Sequence, residues 1–475
     1  MNLNHINVIA RYEVKLVKRS WLFRIFAILA LLFISAIMLG YQTGIVNRMD
    51  NLWPRIAVSS LMPFCNTYFY NIAQSVIVVF LAGSFLKRDK KLDTAEVIYV
   101  RPMSNADYIV GKTWGIVKVF ITLNIITLLF TAFLNILINK SPFDLFPYLF
   151  YLLTISVPSL LFVLGLSFTA MCILKNQAVT FIVMLGIIGT VFFYLTDTLY
   201  GVFDFFGVNI PAIFSDVTGH ADLRLFLLQR FSYLLAGIGL ISMTIALVKR
   251  LPHKPWKIAV VYTFSSLFLL AACLGGLLYI LHYNHQLDLR NQYIMTFDKY
   301  ADVPHVDLLV NDISVTPQGH RLAGKSTVKV ANNNAKPLDK IIFYLNPELT
   351  VTSVEMAGKN LPFRRDHQVI EVDQPIQQQE ELTLTINYEG KISENICYTD
   401  VLTEDYLDTK VPQVFWRFGK RYAWLSNTFT LLTPECIWYP VTIAPVNPGA
   451  PYNVRKNFTD YTLTVHYEGD KTVLS

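Results

Sequence analysis

Seven apolar stretches dominate the first 282 residues of this 475-residue chain, centred on residues 21 to 41, 67 to 86, 113 to 138, 147 to 173, 178 to 198, 226 to 247 and 258 to 282. A helix needs about 20 such residues to cross a hydrocarbon core, where every backbone N–H and C=O must find its partner inside the protein. The pattern therefore predicts a polytopic helical membrane domain with about seven spans. A composition of 53% hydrophobic and 16% charged residues agrees. Two boundaries are soft: the second stretch carries Asn71 and Gln74, and only Lys175-Asn176-Gln177 separates the fourth from the fifth. Ionisable residues are nearly absent from the middle of the spans, which speaks against a carrier coupled to ions through intramembrane carboxylates. Transport by such a domain would need an external energy source.

Orientation follows from the Lys and Arg residues of the short connections, which remain on the cytoplasmic side. With the N-terminus inside, the inner segments collect Arg11, Lys15, Lys18, Arg19 and Arg24, then Lys87, Arg88, Lys90, Lys91, Arg101, Lys112 and Lys118, then Lys175, and finally Lys249, Arg250, Lys254 and Lys257. That is roughly seventeen basic residues inside against about five in the outer loops. This bias accounts for the net charge of +6 without nucleic acid as a partner. An odd number of spans then puts the C-terminal portion outside the cytoplasm. The first span is too long for a secretory h-region and no A-x-A site follows it, so it is expected to be retained. Before it, residues 1 to 20 place Ile6, Ile9, Val14 and Leu16 among basic residues, as in a helix lying along the inner interface. Between the fifth and sixth spans, residues 199 to 225 are apolar but interrupted by Gly201, Asp204, Gly207, Pro211, Asp216 and Gly219. That pattern suits either re-entrant or surface-lying half-helices or an ordinary long loop.

From residue 303 the pattern changes to short alternating strands: His305 to Thr316, Leu322 to Ala331, Leu338 to Leu345, Thr350 to Met356, Gln368 to Val372 and Leu382 to Tyr388. Turn clusters separate them, as expected of an all-β antiparallel sandwich. Gly319 to Ser326 fits the phosphate-binding pattern G-x-x-x-x-G-K-[ST] letter for letter. A working phosphate loop joins a strand to a helix, whereas Thr327-Val328-Lys329-Val330 continues as an alternating strand. The match is expected to be a hairpin. Cys397 and Cys436 are a candidate disulfide in an oxidising compartment, with their separation left open by the sequence. Cys172 and Cys273 read as packing residues of spans, and Cys65 falls in the first outer loop.

Two resemblances add to this reading. The segment LKRDKKLDTAEVIYVRPMSNADYIVGKTWG, residues 86 to 115, resembles the cytoplasmic segment after the second span of ABC-2 type permeases. The resemblance implies six core spans over residues 21–250, a partner ATP-binding subunit docked at Arg88, Asp89, Glu96, Arg101, Pro102 and Lys112, and a dimer of permease domains in the bilayer. Residues 251–285 then form a seventh span as tether. In the outer part, LAGKSTVKV, ELTLTINYEGKI, LTPECIWYPVTIAP and FTDYTLTVHYEGDKTVLS resemble the N-terminal β domain of aminopeptidase-N-like zinc peptidases, over residues 300–475. Permease/aminopeptidase fusions of Bacteroidetes-type bacteria combine the two. The peptidase family needs H-E-x-x-H and G-x-M-E-N, and neither occurs here; the nine histidines never take that spacing. The resemblance thus implies an exporter permease of the inner membrane, with no catalytic residue, metal or cofactor of its own and with ATP hydrolysis in a partner. The alternative is a membrane anchor for an aminopeptidase-like domain, this chain being a truncated or split part that lacks the zinc site.

Overall fold

The computed structural model describes residues 2–43, 59–88, 103–138, 142–196, 198–207, 210–212, 214–215, 219–220, 222–248, 255–403, 421–443, 458–467 and 472–474. Among them, residues up to His282 form one compact unit and residues from Tyr283 onward form another.

The first unit is helical. Helix α1 (Leu3–Arg19) is capped by the Asn2 side chain, which accepts from the Asn4 amide, and it stops at Ser20. The spans follow as α2 (Trp21–Thr43), α3 (Leu61–Arg88), α4 (Asn105–Ile138), α5 (Leu145–Leu174), α6 (Gln177–Leu195), α7 (Leu223–Leu247) and α8 (Pro255–Tyr300). All seven are long and apolar enough to cross a membrane. They coincide with the seven apolar stretches, although α3 begins earlier than the hydropathy suggests. Cys65, expected in the first outer loop, therefore lies within α3, fully buried, because Leu61, Met62 and Phe64 already pack into the bundle. The short break between α5 and α6 is made locally. Lys175 adopts a left-handed φ of 55°, and the Asn176 side chain caps the next helix by accepting from the Ala178 and Val179 amides. Helices α5 and α7 cross at Gly165 and Gly237, where an added Cβ on Gly237 would meet the Leu161 carbonyl carbon at 2.7 Å.

Helix α5 is not uniform. Residues Leu152–Ser156 form a π-helical turn, in which the Val157 amide reaches the Leu152 carbonyl. Pro158 follows at once and has no N–H to offer the preceding turn, a common cause of such irregularity.

The second unit is rich in strands. In chain order they are β1 (Asp307–Gln318), β2 (Arg321–Ala331), β3 (Ile341–Tyr344), β4 (Leu349–Met356), β5 (Lys359–Asn360), β6 (Phe363–Asp366), β7 (Val369–Val372), β8 (Glu381–Gly390), β9 (Ala423–Leu425), β10 (Thr430–Leu432) and β11 (Asp460–Val465). A six-stranded sheet has the order β11-β1-β2-β8-β4-β5, a three-stranded sheet β3-β7-β6, and β9 pairs with β10. The six stretches that alternation predicts are found as β1, β2, β3, β4, β7 and β8. The Gly319-to-Ser326 match falls on the β1–β2 hairpin: Gly319 takes φ +61° in the turn, while Lys325 and Ser326 lie inside β2, paired to Ser314 and Ile313.

The three-stranded sheet is buried on both faces. Ile341, Phe343, Ile370 and Val372 share a core with Val328, Val354, Leu384 and Ile386 of the six-stranded sheet. The alternate residues Ile342, Tyr344 and Val369 pack with Tyr293 and Tyr300 of α8. The last turns of α8 are thus a third layer of the second unit, covering β3 and β7. Tyr300 donates to Glu371 and Asp366, Lys299 pairs with Asp366 at 2.5 Å, and Lys340 pairs with Glu371 at 3.0 Å.

Two outcomes follow. The Lys299 hydrogen bond holds the Asp366 carboxyl below its ordinary value, and the Tyr300 hydroxyl with Lys340 does the same for Glu371. A depressed carboxylate pKa stabilises the fold above the unfolded-state value, and that contribution vanishes as pH falls through the folded-state value. The denaturant midpoint of the second unit, followed by pulse proteolysis of the full chain, should drop between about pH 5 and pH 3, and Asp366→Asn with Glu371→Gln should flatten that dependence. Separately, Gly324 in β2 lies under the Tyr388 ring, and an added Cβ would meet the ring at 2.3 Å. Gly324→Ala should cost the second unit about 1–3 kcal/mol, and combining it with Tyr388→Leu should give less than the sum of the two losses. Strictly additive losses would show that the two side chains do not meet.

Candidate functional site

The connector singled out by the sequence begins at the end of α3 and leads into α4. Arg88 is the last residue of α3; Asp89, Glu96, Arg101 and Pro102 lie outside the described residues. At the start of α4, Ser104 and Asp107 form a reciprocal cap: the Asp107 amide donates to Ser104 Oγ at 3.0 Å, and Asp107 Oδ2 accepts from the Ser104 amide at 3.1 Å. Asp107 Oδ1 also accepts the Asn2 amide at 2.8 Å, which ties the start of α1 to the start of α4.

Helix α1 lies close along α4. The approach is set by Gly111 and Gly115, where an added Cβ would come within 2.8 Å of Ile9 Cβ and 2.7 Å of Glu13 Cβ. Between them sits Lys112, the one residue of the expected docking set whose side chain is described. It is only 4% exposed, 3.9 Å from Glu13 and 4.9 Å from the centre of the Tyr108 ring. Its ammonium therefore serves the α1–α4 contact. The apolar face of α1, with Ile6, Ala10 and Val17 buried, is likewise turned into the bundle.

A seam of neutral polar groups runs through the bundle. Asn66 donates to Thr131 at 2.7 Å and accepts from Thr127 at 3.2 Å. Asn124 donates to Ser156 Oγ of the π turn at 2.7 Å. Gln74 donates to Asn71 at 2.6 Å, and Asn71 reaches the Phe206 carbonyl at 2.9 Å and Ser159 at 3.4 Å. Every one of these residues is buried. Asn124 Oδ1 is left without a donor among the described residues. Ser156 accepts from α4, and Ser159 donates to the Phe205 carbonyl.

The broken segment after α6 closes this seam. Residues 204 to 207 are non-helical and buried, with Asp204 accepting the Phe206 and Gly207 amides as a short turn. Arg230 of α7, 1% exposed, donates from Nη2 to the Asp204 carbonyl at 3.1 Å and from Nη1 to the Phe205 carbonyl at 3.2 Å. Gln229 supplies Nε2 to the Gly201 and Asp204 carbonyls and holds Arg230 Nε through its own oxygen. Arg230 lies near the start of α7, away from the middle of the span, yet it is buried. It is tolerated because non-helical backbone offers it acceptors and because Asp204 lies within electrostatic reach. The sequence does contain a signal for the seam: Asn124, Thr127, Thr131 and Asn135 recur at helical spacing along one face of an apolar span.

In the second unit the two candidate cysteines meet. Cys397 and Cys436 are both fully buried, and their sulfurs are 3.3 Å apart. The histidines remain separate: His305 contacts the Val303 carbonyl, His320 the Leu425 carbonyl, His367 the Tyr293 ring and His466 Ser314. Among the described residues no three His, Cys, Asp or Glu side chains converge as metal ligands.

No family model matches this chain, and no curated protein does. Among solved structures, the chain is similar to an M1 zinc metallopeptidase from Deinococcus radiodurans, at 23% identity and a TM-score of 0.17, over 19% of this chain and 21% of that one. It is also similar to a substitution variant of an M1 zinc metallopeptidase from the same organism bound to a Tyr-Ser-Ala substrate, at 18% identity and a TM-score of 0.25, over 34% of this chain and 32% of that one. The chain spans about a third or less of these proteins, and the likeness is weak and partial.

The Arg230 contact is open to direct test. Gly207 has φ +78°, and an added Cβ would lie 2.5 Å from Arg230 Nη1. Gly207→Ala should lower the thermal midpoint of the detergent-solubilised chain by the equivalent of about 1–3 kcal/mol. Arg230→Met should do the same by removing one of two donors from each of the Asp204 and Phe205 carbonyls and the donor to Gln229 Oε1, and the double variant should lose less than the sum, since the clash partner is gone. Equal midpoints for Gly207→Ala and the parent chain would refute the packing.

Proposed function

We propose that this chain is the transmembrane permease subunit of an ABC-type exporter of the ABC-2 class. A separate ATP-binding subunit energises it by docking on the cytoplasmic connector, residues 87 to 112. Two permease domains pair in the cell's inner membrane. The N-terminus is cytoplasmic, and the second unit is a β-sandwich outside, derived from the N-terminal domain of an aminopeptidase-N-like peptidase.

The observation that carries this reading is the buried polar seam of the first unit, from Asn66 through Asn124 and Ser156 to Asn71 and the 204–207 turn. A bundle that only anchors a domain gains nothing from a π turn, a non-helical segment and a row of amides at its centre, each of which needs a dedicated partner in an apolar surrounding. Transporters need such irregular backbone where a path must open. The seam carries no acid–base relay, so the energy must come from a partner, and the connector between α3 and α4 is the segment whose sequence resembles a docking loop. With Lys112 committed to α1, the docking charges are Glu96 and Arg101. The sandwich reading of the second unit rests on the core shared by its six-stranded and three-stranded sheets.

The test is co-purification. Full-length tagged chain isolated from its own cells in mild detergent should carry an ATP-binding subunit and vanadate-sensitive ATPase activity. Glu96→Arg with Arg101→Glu should reduce both at least about tenfold while leaving the thermal midpoint of the chain unchanged. Recovery instead of a separate zinc peptidase chain, with no ATPase, would favour the anchor.

A further inference from the structure

Two short turns of the second unit present one cysteine each to the other. The turn over Glu394–Ile396 leads into Cys397, and the turn over Pro434–Cys436 ends on Cys436. Both turns are held by buried side chains from elsewhere in the unit. Arg290, 1% exposed, donates from Nη1 to the carbonyls of Asn395 at 3.2 Å and Cys397 at 2.7 Å, and from Nη2 to those of Tyr398 at 2.9 Å and Val401 at 3.0 Å. Asn346, fully buried, donates from Nδ2 to the carbonyls of Ser393 at 2.9 Å and Cys436 at 2.7 Å, and its Oδ1 accepts the Ser393 amide. The carbonyl of each cysteine is therefore fixed by a separate clamp, and the two sulfurs face one another at 3.3 Å. Packing alone would place two buried thiols anywhere in a core. Here the backbone on both sides is pinned by guanidinium or amide donors, which hold the two thiols facing one another.

We propose that Cys397 and Cys436 form a disulfide that covalently closes the segment between them. The proposal goes beyond transport and takes from the proposed function only its orientation, with the second unit in an oxidising compartment. The two thiols lose two protons and two electrons in forming the bond. A disulfide-carrying oxidant accepts them: one cysteine thiolate attacks an oxidant sulfur and expels one oxidant thiolate. The other cysteine thiolate then attacks the mixed disulfide and releases the oxidant as a dithiol. Both cysteines are fully buried in the folded unit, where an oxidant cannot reach their sulfurs. The exchange therefore takes place while the turns are still open, and the bond is sealed in when Arg290 and Asn346 close them.

The test uses the full chain in its own membranes. Cells are lysed directly into denaturant with a light maleimide, then the protein is reduced, labelled with a heavy maleimide and digested for peptide mass spectrometry. The expected result is heavy label on Cys397 and Cys436 and light label on Cys65, Cys172 and Cys273, with a linked peptide pair in the unreduced digest. Cys397→Ser should move Cys436 to the light label. A parallel chain carrying Gln378→Cys, at an exposed turn, reports orientation by its reaction with a membrane-impermeant maleimide on intact cells. Light label on both Cys397 and Cys436 overturns the disulfide. If Gln378→Cys is then labelled from outside, the orientation stands and only the bond fails; if it is labelled only after permeabilisation, both fail.

Discussion

A buried guanidinium that gathers the carbonyls of non-helical backbone recurs in both units of this protein, and much of the irregular structure hangs on it. Arg230 takes two carbonyls of the turn at residues 204 to 206, and Arg290 takes four from the segment between Asn395 and Val401. In each case the backbone has left helix or sheet, and the guanidinium adds donors to buried carbonyls, some of which also have a second donor nearby; a buried acceptor left wholly unpaired would cost about 1–3 kcal/mol. The planar fork with five donors suits this task, and a lysine could not reproduce the spread of contacts. The guanidinium in turn is tolerated away from water because both of its terminal nitrogens donate to carbonyls. Charge and loop thus stabilise each other, and loss of either leaves the other exposed to the full desolvation penalty.

Close approach is the second constraint. Helix α1 can lie on α4 only because Gly111 and Gly115 present backbone where other residues would present a Cβ, and the same holds for α5 and α7 at Gly165 and Gly237. In lipid there is no hydrophobic gain in bringing two apolar helices together, so contact area and hydrogen bonds must do it. Thr169, which reaches the Leu240 carbonyl at 2.9 Å and Thr244 at 3.1 Å, works beside the α5–α7 crossing in that way. The proximity of α1 to α4 explains why Lys112 serves packing. A lysine flanked by two glycines in a helix groove is covered by whatever helix fills the groove.

Hydropathy made the spans legible, and alternation made the longer strands of the second unit legible, because both depend on local periodicity that burial enforces directly. The β1–β2 hairpin was legible for the same reason, since a continuing alternating run after Ser326 excludes a helix. The cysteine pair was named without any distance, because its meeting depends on Arg290 and Asn346, which lie far away in sequence. Arg230 and the π turn were not legible. An arginine near the end of an apolar run reads as a flank until the non-helical turn that accepts it is known, and Pro158 alone marks only the possibility of a kink. The polar row on α4 was readable in principle, but Asn and Thr carry too little hydropathy penalty to interrupt an apolar stretch.

The end of α8 shows how a hydropathy boundary and a folding boundary can part. Apolar character ends near residue 282, which marks where the span stops, yet the helix continues to Tyr300. Leu289, Tyr293, Phe297 and Tyr300 recur at helical spacing and pack with Ile342, Tyr344 and Val369. Without them the three-stranded sheet would expose the face carrying Ile342 and Tyr344, while its other face is already occupied by the core it shares with the six-stranded sheet. Arg290 and Gln286 on the same stretch of helix reach the turn that carries Cys397, the latter through Asn395 at 2.6 Å. The second unit therefore begins at Tyr283, and residues 286–299, which lie between the expected tether and the expected sandwich, help to build its core. The physical reason is economy of partners: a sheet of three short strands has two apolar faces to cover, and the helix that leads into it is the nearest element able to cover the second.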